Sequence, residues 1–136
     1  MYLIDTNILL EILLERERAD EAEQFLCHGP TGTLFFSEFS WYSLGIFLFR
    51  QKRYEVFLQL SRDLFESSSI HLVRLTPEHV PLLAAVAQQF QLDFDDAYQY
   101  TVAETYNLTI VSFDQDFDRT TRGRKTPQEV MGKENS

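Results

Sequence analysis

Short apolar segments that are typical of buried strands alternate along this chain with longer segments of helical periodicity. Four strands are predicted, at Met1–Ile4, Thr33–Ser37, Ile70–Leu75 and Leu108–Ser112. Strands that alternate with helices in this way build a parallel sheet covered by helices on both faces. The sequence therefore predicts an α/β fold, a three-layer α/β/α sandwich with a central, mainly parallel sheet.

The intervening segments predict helices and turns. The helices begin near Asn7 and after Thr126, and the others cover Ala19–Leu26, Ser40–Arg50, Tyr54–Glu66, Glu78–Phe90 and Asp95–Tyr106. Turn residues at 28–32 and Ser67–Ser69 separate helices from strands, and Thr76 with Pro77 provides an N-cap and a first-turn proline. Because no repeat or linker interrupts this pattern, we predict a single domain over residues 1–132 and a frayed tail at 133–136.

The composition excludes several classes of protein. The one cysteine, Cys27, excludes an intramolecular disulfide framework, and no Cys/His cluster has zinc-like spacing. The formal charge of −9 argues against a protein that coats nucleic acid, although bound cations would reverse the sign of a carboxylate site and permit a nuclease. Polar residues break the apolar stretch Leu34–Phe49, and Asp5 and Glu11 interrupt the N-terminal one. We therefore expect a cytoplasmic protein without a membrane partner.

Acidic residues follow the predicted strands. Asp5 closes the first strand, Asp114 comes after the fourth, and Asp96 begins a helix. Because the carboxyl ends of parallel strands share one edge of the sheet, these carboxylates are expected to converge, and oxygen ligands suit Mg²⁺ or Mn²⁺. Each acid also has a local alternative, as a helix cap or, for Asp114, Asp116 and Asp118, as a turn residue. A shared divalent-cation site accounts for all the segments together.

Three segments match the motifs of a known family. They are Tyr2–Leu10, the pair Asp96-Ala97 at a helix start, and Ile110–Phe117, and their order extends over nearly the whole chain. On these segments the chain resembles PIN-domain proteins and is similar to the VapC-type ribonuclease toxins of toxin–antitoxin systems. The resemblance implies that Asp5, Asp96 and Asp114 are catalytic metal ligands, with Asp116 as a further catalytic acid beside them. It also implies that Thr6 and Ser112 support the cluster.

One position departs from the family pattern. Where the family has a further acid in the helix after the second strand, this chain has Ser43. Glu38 lies earlier, near the strand end, and is a candidate replacement ligand or a solvent-facing acid. The absence of this acid weakens the expectation of catalytic activity more than the expectation of the fold.

The resemblance implies a divalent-metal-dependent endoribonuclease that uses one or two Mg²⁺ or Mn²⁺ ions on an RNA substrate. It further implies a small antitoxin that occludes the acidic pocket, and a homodimer. Arg119, Arg122 and Arg124 are candidates for guiding phosphate, although a solvated basic tail is the commoner role for any one of them. The alternative is a catalytically degenerate PIN domain that binds RNA or protein. A phospho-acceptor receiver domain is disfavoured because a Thr follows Asp5 and no Lys lies near Ser112.

Overall fold

The computed structural model describes residues 1–29, 33–67 and 70–135. The predicted turn at Pro30–Gly32, the helix end at Ser68–Ser69 and the final Ser136 lie outside the described residues. None of the described helices is long and apolar enough to cross a membrane.

Four parallel strands form the central sheet of the described chain. They are β1 (Tyr2–Ile4), β2 (Leu34–Ser37), β3 (His71–Val73) and β4 (Thr109–Val111), arranged in the order β3-β2-β1-β4. Leu3 of β1 pairs with Phe35 of β2 on one side and with Ile110 of β4 on the other. The predicted parallel sheet is confirmed, and its order places the carboxyl ends of β1 and β4 side by side.

Seven α-helices are present in the described residues. Their bounds are α1 Thr6–Leu13, α2 Ala19–His28, α3 Glu38–Arg50, α4 Tyr54–Ser61, α5 Val80–Phe90, α6 Phe94–Tyr106 and α7 Pro127–Asn135. Short 3₁₀ turns occur at Pro77–His79 and Gln115–Arg119, and a π-helical turn at Arg62–Ser67 follows α4. The helix predicted over Tyr54–Glu66 thus changes its winding after Ser61. The last helix continues to Asn135, into the stretch predicted to fray.

Helix α3 begins two residues before its predicted start. The Ser37 hydroxyl accepts a hydrogen bond from the backbone N–H of Ser40 at 3.1 Å. Ser37 therefore serves as both the last residue of β2 and the N-cap of α3, so the chain has no loop between them. This direct connection turns Glu38 into the first helical residue and moves Ser40 and Ser43 towards the edge where the strands end.

The two faces of the sheet bury separate apolar clusters. Ile4 packs with Phe25, Phe36 and Trp41 on one face, whereas the neighbouring Leu3 packs with the second cluster. That second cluster includes Val86, Ala97, Val102, Ile110 and Phe117. Consecutive residues of a strand point to opposite faces, so a β1 that is apolar at both positions needs helices on both sides. The three-layer prediction is confirmed.

Candidate metal centre

An acidic cavity of about 300 Å³ lies at the edge of the sheet where β1 and β4 end. Its wall includes Asp5 after β1, Asp96 in the first turn of α6 and Asp114 after β4. Ser40 and Ser43 contribute the α3 side. A larger cavity of about 470 Å³ lies beside the start of β4, but its two charged residues, Arg122 and Glu104, pair with each other. The acidic cavity is therefore the candidate site.

Asp5 is held by three hydrogen-bond donors. The backbone N–H of Thr6 donates to its Oδ1 at 2.8 Å, and the Gln99 amide donates to the same atom at 3.2 Å. The Ser112 hydroxyl donates to Oδ2 at 2.7 Å. Burial of the carboxylate raises its pKa, the hydrogen bonds from Ser112, Gln99 and Thr6 oppose that shift, and the charge of Asp114 adds to it. Asp5 thus caps α1 and belongs to the acidic site at the same time.

Asp96, Asp114 and Asp116 form a tight cluster of acids. One carboxylate oxygen of each lies within 4.8 Å of the others. Burial raises the pKa of Asp96 to about 8, with further contributions from the charge of Asp114 and a hydrogen bond to its carboxylate. Carboxylates this close repel one another unless a proton or a cation lies between them. The arrangement therefore favours either a shared proton or a bound cation.

Ser112 connects the two halves of the site. Besides donating to Asp5, its hydroxyl oxygen accepts from the Asn7 amide at 3.1 Å and from the backbone N–H of Asp114 at 2.9 Å. Asn7 in turn accepts from the backbone N–H of Phe113 at 3.3 Å. The loop after β4 is therefore tied to the start of α1 by side chains that are more than a hundred residues apart in the sequence.

Replacing Ser112 with Ala is expected to weaken cation binding by ~10–100-fold, because groups that orient metal ligands have effects of that size. The change removes one of the three donors to Asp5 and leaves the backbone N–H of Asp114 without its acceptor. Isothermal titration with Mn²⁺ measures the effect, with Ser61→Ala at the end of α4 as the control. An unchanged affinity in Ser112→Ala would contradict this role for the hydroxyl.

Asp116 and Asp114 are linked through the turn that follows β4. The Asp114 carboxylate accepts from the backbone N–H of Asp116 at 2.8 Å, which caps the 3₁₀ turn. Arg119 donates to Asp116 at 2.9 Å and also to the carbonyl oxygen of Gln91 at 2.8 Å. This double contact fixes Asp116 against the end of α5.

The three arginines that were candidates for guiding phosphate are engaged within the protein. Arg119 pairs with Asp116, Arg122 with Glu104, and Arg124 with Asp118. Arg124 also donates to the carbonyl oxygen of Ser112 at 3.1 Å. In this arrangement they hold the loops around the site in place, and their charges are already compensated.

Two other acids near the site have local roles. Asp93 caps α6 by accepting from the backbone N–H of Asp96 at 3.0 Å. Asp95 lines the cavity, and partial burial followed by the charge of Asp93 raises its pKa.

Glu38 does not join the acidic cluster. Its carboxylate lies 4.0 Å from the Arg74 guanidinium, and the residue is absent from the cavity wall, whereas Ser43 lines it. The direct transition from β2 to α3 turns Glu38 towards β3. The structure therefore brings together Asp5, Asp96, Asp114 and Asp116, with Thr6 and Ser112 beside them, and leaves Glu38 outside.

Gln99 and Asn7 were missed as members of the site. Gln99 lies one helical turn after Asp96, so the i, i+3 spacing places both on one face of α6; that spacing was the available signal. The Oε1 atom of Gln99 is buried and has no hydrogen-bond partner among the described residues. A buried oxygen left unpaired costs ~1–3 kcal/mol. With oxygen donors only and an unpaired amide oxygen, these residues fit a hard divalent cation.

Comparisons with known proteins identify relatives of this fold. A sequence model of the PIN domain matches residues 2–123. The fold is similar to a toxin–antitoxin complex from Klebsiella pneumoniae, with 22% identity, 96% of this chain and 100% of that chain covered, and a TM-score of 0.72. It is also similar to the sarcin-ricin loop cleaving toxin VapC20 of Mycobacterium tuberculosis, with 13% identity, 87% and 93% covered, and a TM-score of 0.72. VapBC2 from Rickettsia felis, solved with promoter DNA, matches with 16% identity, 91% and 96% covered, and a TM-score of 0.68. No curated protein matches the sequence.

Proposed function

The chain belongs to the PIN-domain family, and from this premise we propose that it is a divalent-metal-dependent endoribonuclease, the toxin of a VapBC-type pair. The observation that carries the proposal is the convergence of Asp96, Asp114 and Asp116 beside the buried Asp5. Mg²⁺ or Mn²⁺ is the proposed cofactor, because the donors are all oxygens and no soft ligand is among them. Single-stranded RNA is the proposed substrate by analogy with the VapC-type toxins.

Each acid has a proposed part in phosphodiester hydrolysis. Asp5, Asp96 and Asp114 would hold the cation, and Asp116 would assist at the open side of the cavity. A cation bound there would supply Lewis acidity, which would lower the pKa of a nearby water molecule and stabilise negative charge on the phosphate. Ser112 keeps Asp5 and Asp114 in register, and Arg119 keeps Asp116 in place. These contacts would thus hold the acids in place around the cation, against which the phosphodiester would be positioned.

Arg18 is the proposed contact for the RNA backbone. Its guanidinium lies 4.9 Å from the centre of the Phe113 ring, which stands between Ser112 and Asp114 in the sequence. Within the described part of the chain Arg18 has no ion pair, unlike Arg119 and Arg124. A cation held on an aromatic face keeps its charge available for phosphate.

Arg18→Ala is expected to weaken RNA binding several-fold and to reduce the salt dependence of the binding constant by about one phosphate contact. Fluorescence anisotropy with labelled RNA at several salt concentrations measures both. Arg16→Ala, another exposed arginine of the same connection, is the matched control. Equal effects of the two variants would assign the loss to general charge and reject a specific contact.

A second candidate is a PIN domain that binds RNA or protein without cutting. The observation that favours it is Ser43, which lines the cavity where the family has an acid, while Glu38 is turned towards Arg74. The test is incubation of the purified protein with single-stranded RNA in Mn²⁺ and in chelator. Cleavage only in Mn²⁺ supports the nuclease, whereas cation binding without any cleavage supports the binding module.

The proposed protein partner is a small antitoxin. An acidic cavity accepts an Arg or Lys side chain through charge-assisted hydrogen bonds, so an antitoxin that inserts one would displace the cation. The product of a small reading frame adjacent to this gene should co-purify with the protein and inhibit it.

A homodimer is also proposed, through apolar helices. Exposed apolar side chains lie on α3 and α4, namely Tyr42, Ile46, Phe49, Tyr54 and Leu58. Sedimentation of the isolated protein measures its oligomeric state.

A further inference from the structure

Gln99 occupies a position between the acidic cluster and the core. It lies on α6 one turn after Asp96, lines the acidic cavity, and is only 2% exposed. Its Nε2 donates to Asp5 at 3.2 Å. A neutral amide thus lies among carboxylates, and its Nε2 atom is already bonded to Asp5.

The orientation of this amide follows from its neighbours. Rotating it by half a turn would place Oε1 against the Asp5 carboxylate, and two acceptors would then face each other. Nε2 therefore remains on Asp5, and Oε1 is left as the buried side-chain oxygen without a partner in the described part of the chain. Four carboxylates line the same cavity, so a cation bound there would also be the electrostatic complement of this further oxygen.

The α3 side of the cavity lacks the carboxylate that the family pattern has there. Ser43 of α3 presents a hydroxyl where a carboxylate is expected, and Glu38 faces Arg74 instead. We propose that the Oε1 atom of Gln99 is a direct ligand of the cation and takes the place of that missing carboxylate. The inference rests on the proposed metal-dependent function and names an additional ligand of the same site.

Cations bind ligand oxygens at shorter distances than water molecules do. Mg²⁺ and Ca²⁺ bind oxygen at ~2.0–2.6 Å, whereas a water molecule needs ~2.7–2.8 Å for a hydrogen bond. An ion held by the adjacent carboxylates would therefore approach Oε1 more closely than a hydrogen-bonded water molecule does. Asn and Gln carbonyl oxygens are established ligands of such hard cations.

Two substitutions separate ligation by Oε1 from positioning by Nε2. Gln99→Met removes both the oxygen and the donor at similar length, whereas Gln99→Glu keeps an oxygen and replaces the donor with a second oxygen that shares a negative charge. If Oε1 is a ligand, Gln99→Met should bind Mn²⁺ at least ~10-fold more weakly, and Gln99→Glu should bind it as tightly as the unmodified protein or more tightly. If Gln99 acts only by holding Asp5, both variants should weaken binding, and that result would overturn the proposal.

Isothermal titration with Mn²⁺ is the measurement, and a thermal melt of each metal-free variant checks its fold. Gln89→Glu, which adds the same charge at an exposed position of α5, is the control for a general charge effect. An equal gain in Gln89→Glu and Gln99→Glu, or an unchanged affinity in Gln99→Met, would also reject ligation.

A crystal of the unmodified protein soaked in Mn²⁺ provides a test that does not depend on the variants. The anomalous peak should lie within coordination distance of Oε1, at ~2.0–2.6 Å. An ion bound to the aspartates but outside that distance overturns the role of Gln99 and leaves the proposed nuclease intact. Absence of any Mn²⁺ binding in the titration overturns both.

Discussion

Replacing Asp114 with Asn is expected to reduce Mn²⁺-dependent RNA cleavage by roughly 10³-fold while the protein remains folded, since loss of a ligand should exceed the ~10–100-fold cost of losing a group that only orients one. Asp114 is the acid that contacts both other parts of the site, through the cluster with Asp96 and Asp116 and through Ser112. Asn keeps the side-chain oxygen that caps the following 3₁₀ turn, so the local backbone should persist. Asp5→Asn should have a comparable effect.

A single-turnover cleavage assay with a labelled oligonucleotide measures this loss. Asp118→Asn is the matched control, because Asp118 lies in the same turn but its carboxylate pairs with Arg124 outside the cluster. The Asp118 side chain is 57% exposed, so losing its charge should cost only ~0–1 kcal/mol, and Arg124 keeps its hydrogen bond to the Ser112 carbonyl oxygen. The control should therefore retain nearly full activity. Substantial cleavage by Asp114→Asn would remove Asp114 from the proposed mechanism.

Asp96→Asn is expected to make the metal-free protein more stable at pH 8 while abolishing its response to Mn²⁺. The folded protein raises the pKa of Asp96 from 3.8 to about 8, first through burial and then through the charge of Asp114. Between those two values the folded state keeps a proton that the unfolded state has lost. The free energy of unfolding therefore decreases as pH rises from about 4 to about 8.

An amide at position 96 carries no charge at any of these pH values, so its contribution to the free energy of unfolding should not vary with pH. We expect a stabilisation of ~1–2 kcal/mol at pH 8, or roughly 3–10 °C in melting temperature, that disappears towards pH 4. Metal binding competes with the same proton, so the Mn²⁺ affinity of the unmodified protein should increase up to about pH 8.

Thermal melts from pH 4 to pH 9, with and without Mn²⁺, measure both effects. Asp20→Asn, an exposed acid of α2, is the control. If Asp96→Asn loses stability as pH rises in the same way as the unmodified protein, another group is responsible for the pH dependence of stability.

The location of the acidic site was predictable because it depends on local patterns and one rule of topology. The apolar segment Tyr2–Ile4 followed by Asp5, and Thr109–Val111 followed by Asp114, are recognisable without any tertiary contact. Parallel pairing then brings both strand ends to the same edge. The alternation of strands and helices also predicted both helix layers, since it builds a parallel sheet that is covered on both faces.

Side-chain direction was not predictable to the same extent. Glu38 was a candidate ligand because it stands near the end of β2, but the cap formed by Ser37 starts α3 at once and turns Glu38 towards Arg74. Similarly, a cluster of arginines after Asp116 indicates available charge, while in the structure each of them has an acidic partner.

The sequence by itself determined the order of strands and helices, the parallel sheet and the edge at which the acids meet, because periodicity, caps and strand-end carboxylates act over a few residues. Only the tertiary structure decided which side chains complete the site. The hydrogen bonds of Asp5 to Ser112 and Gln99 join residues 107 and 94 positions apart. Such contacts depend on how α6 and the loop after β4 pack against β1, and no local pattern encodes that packing.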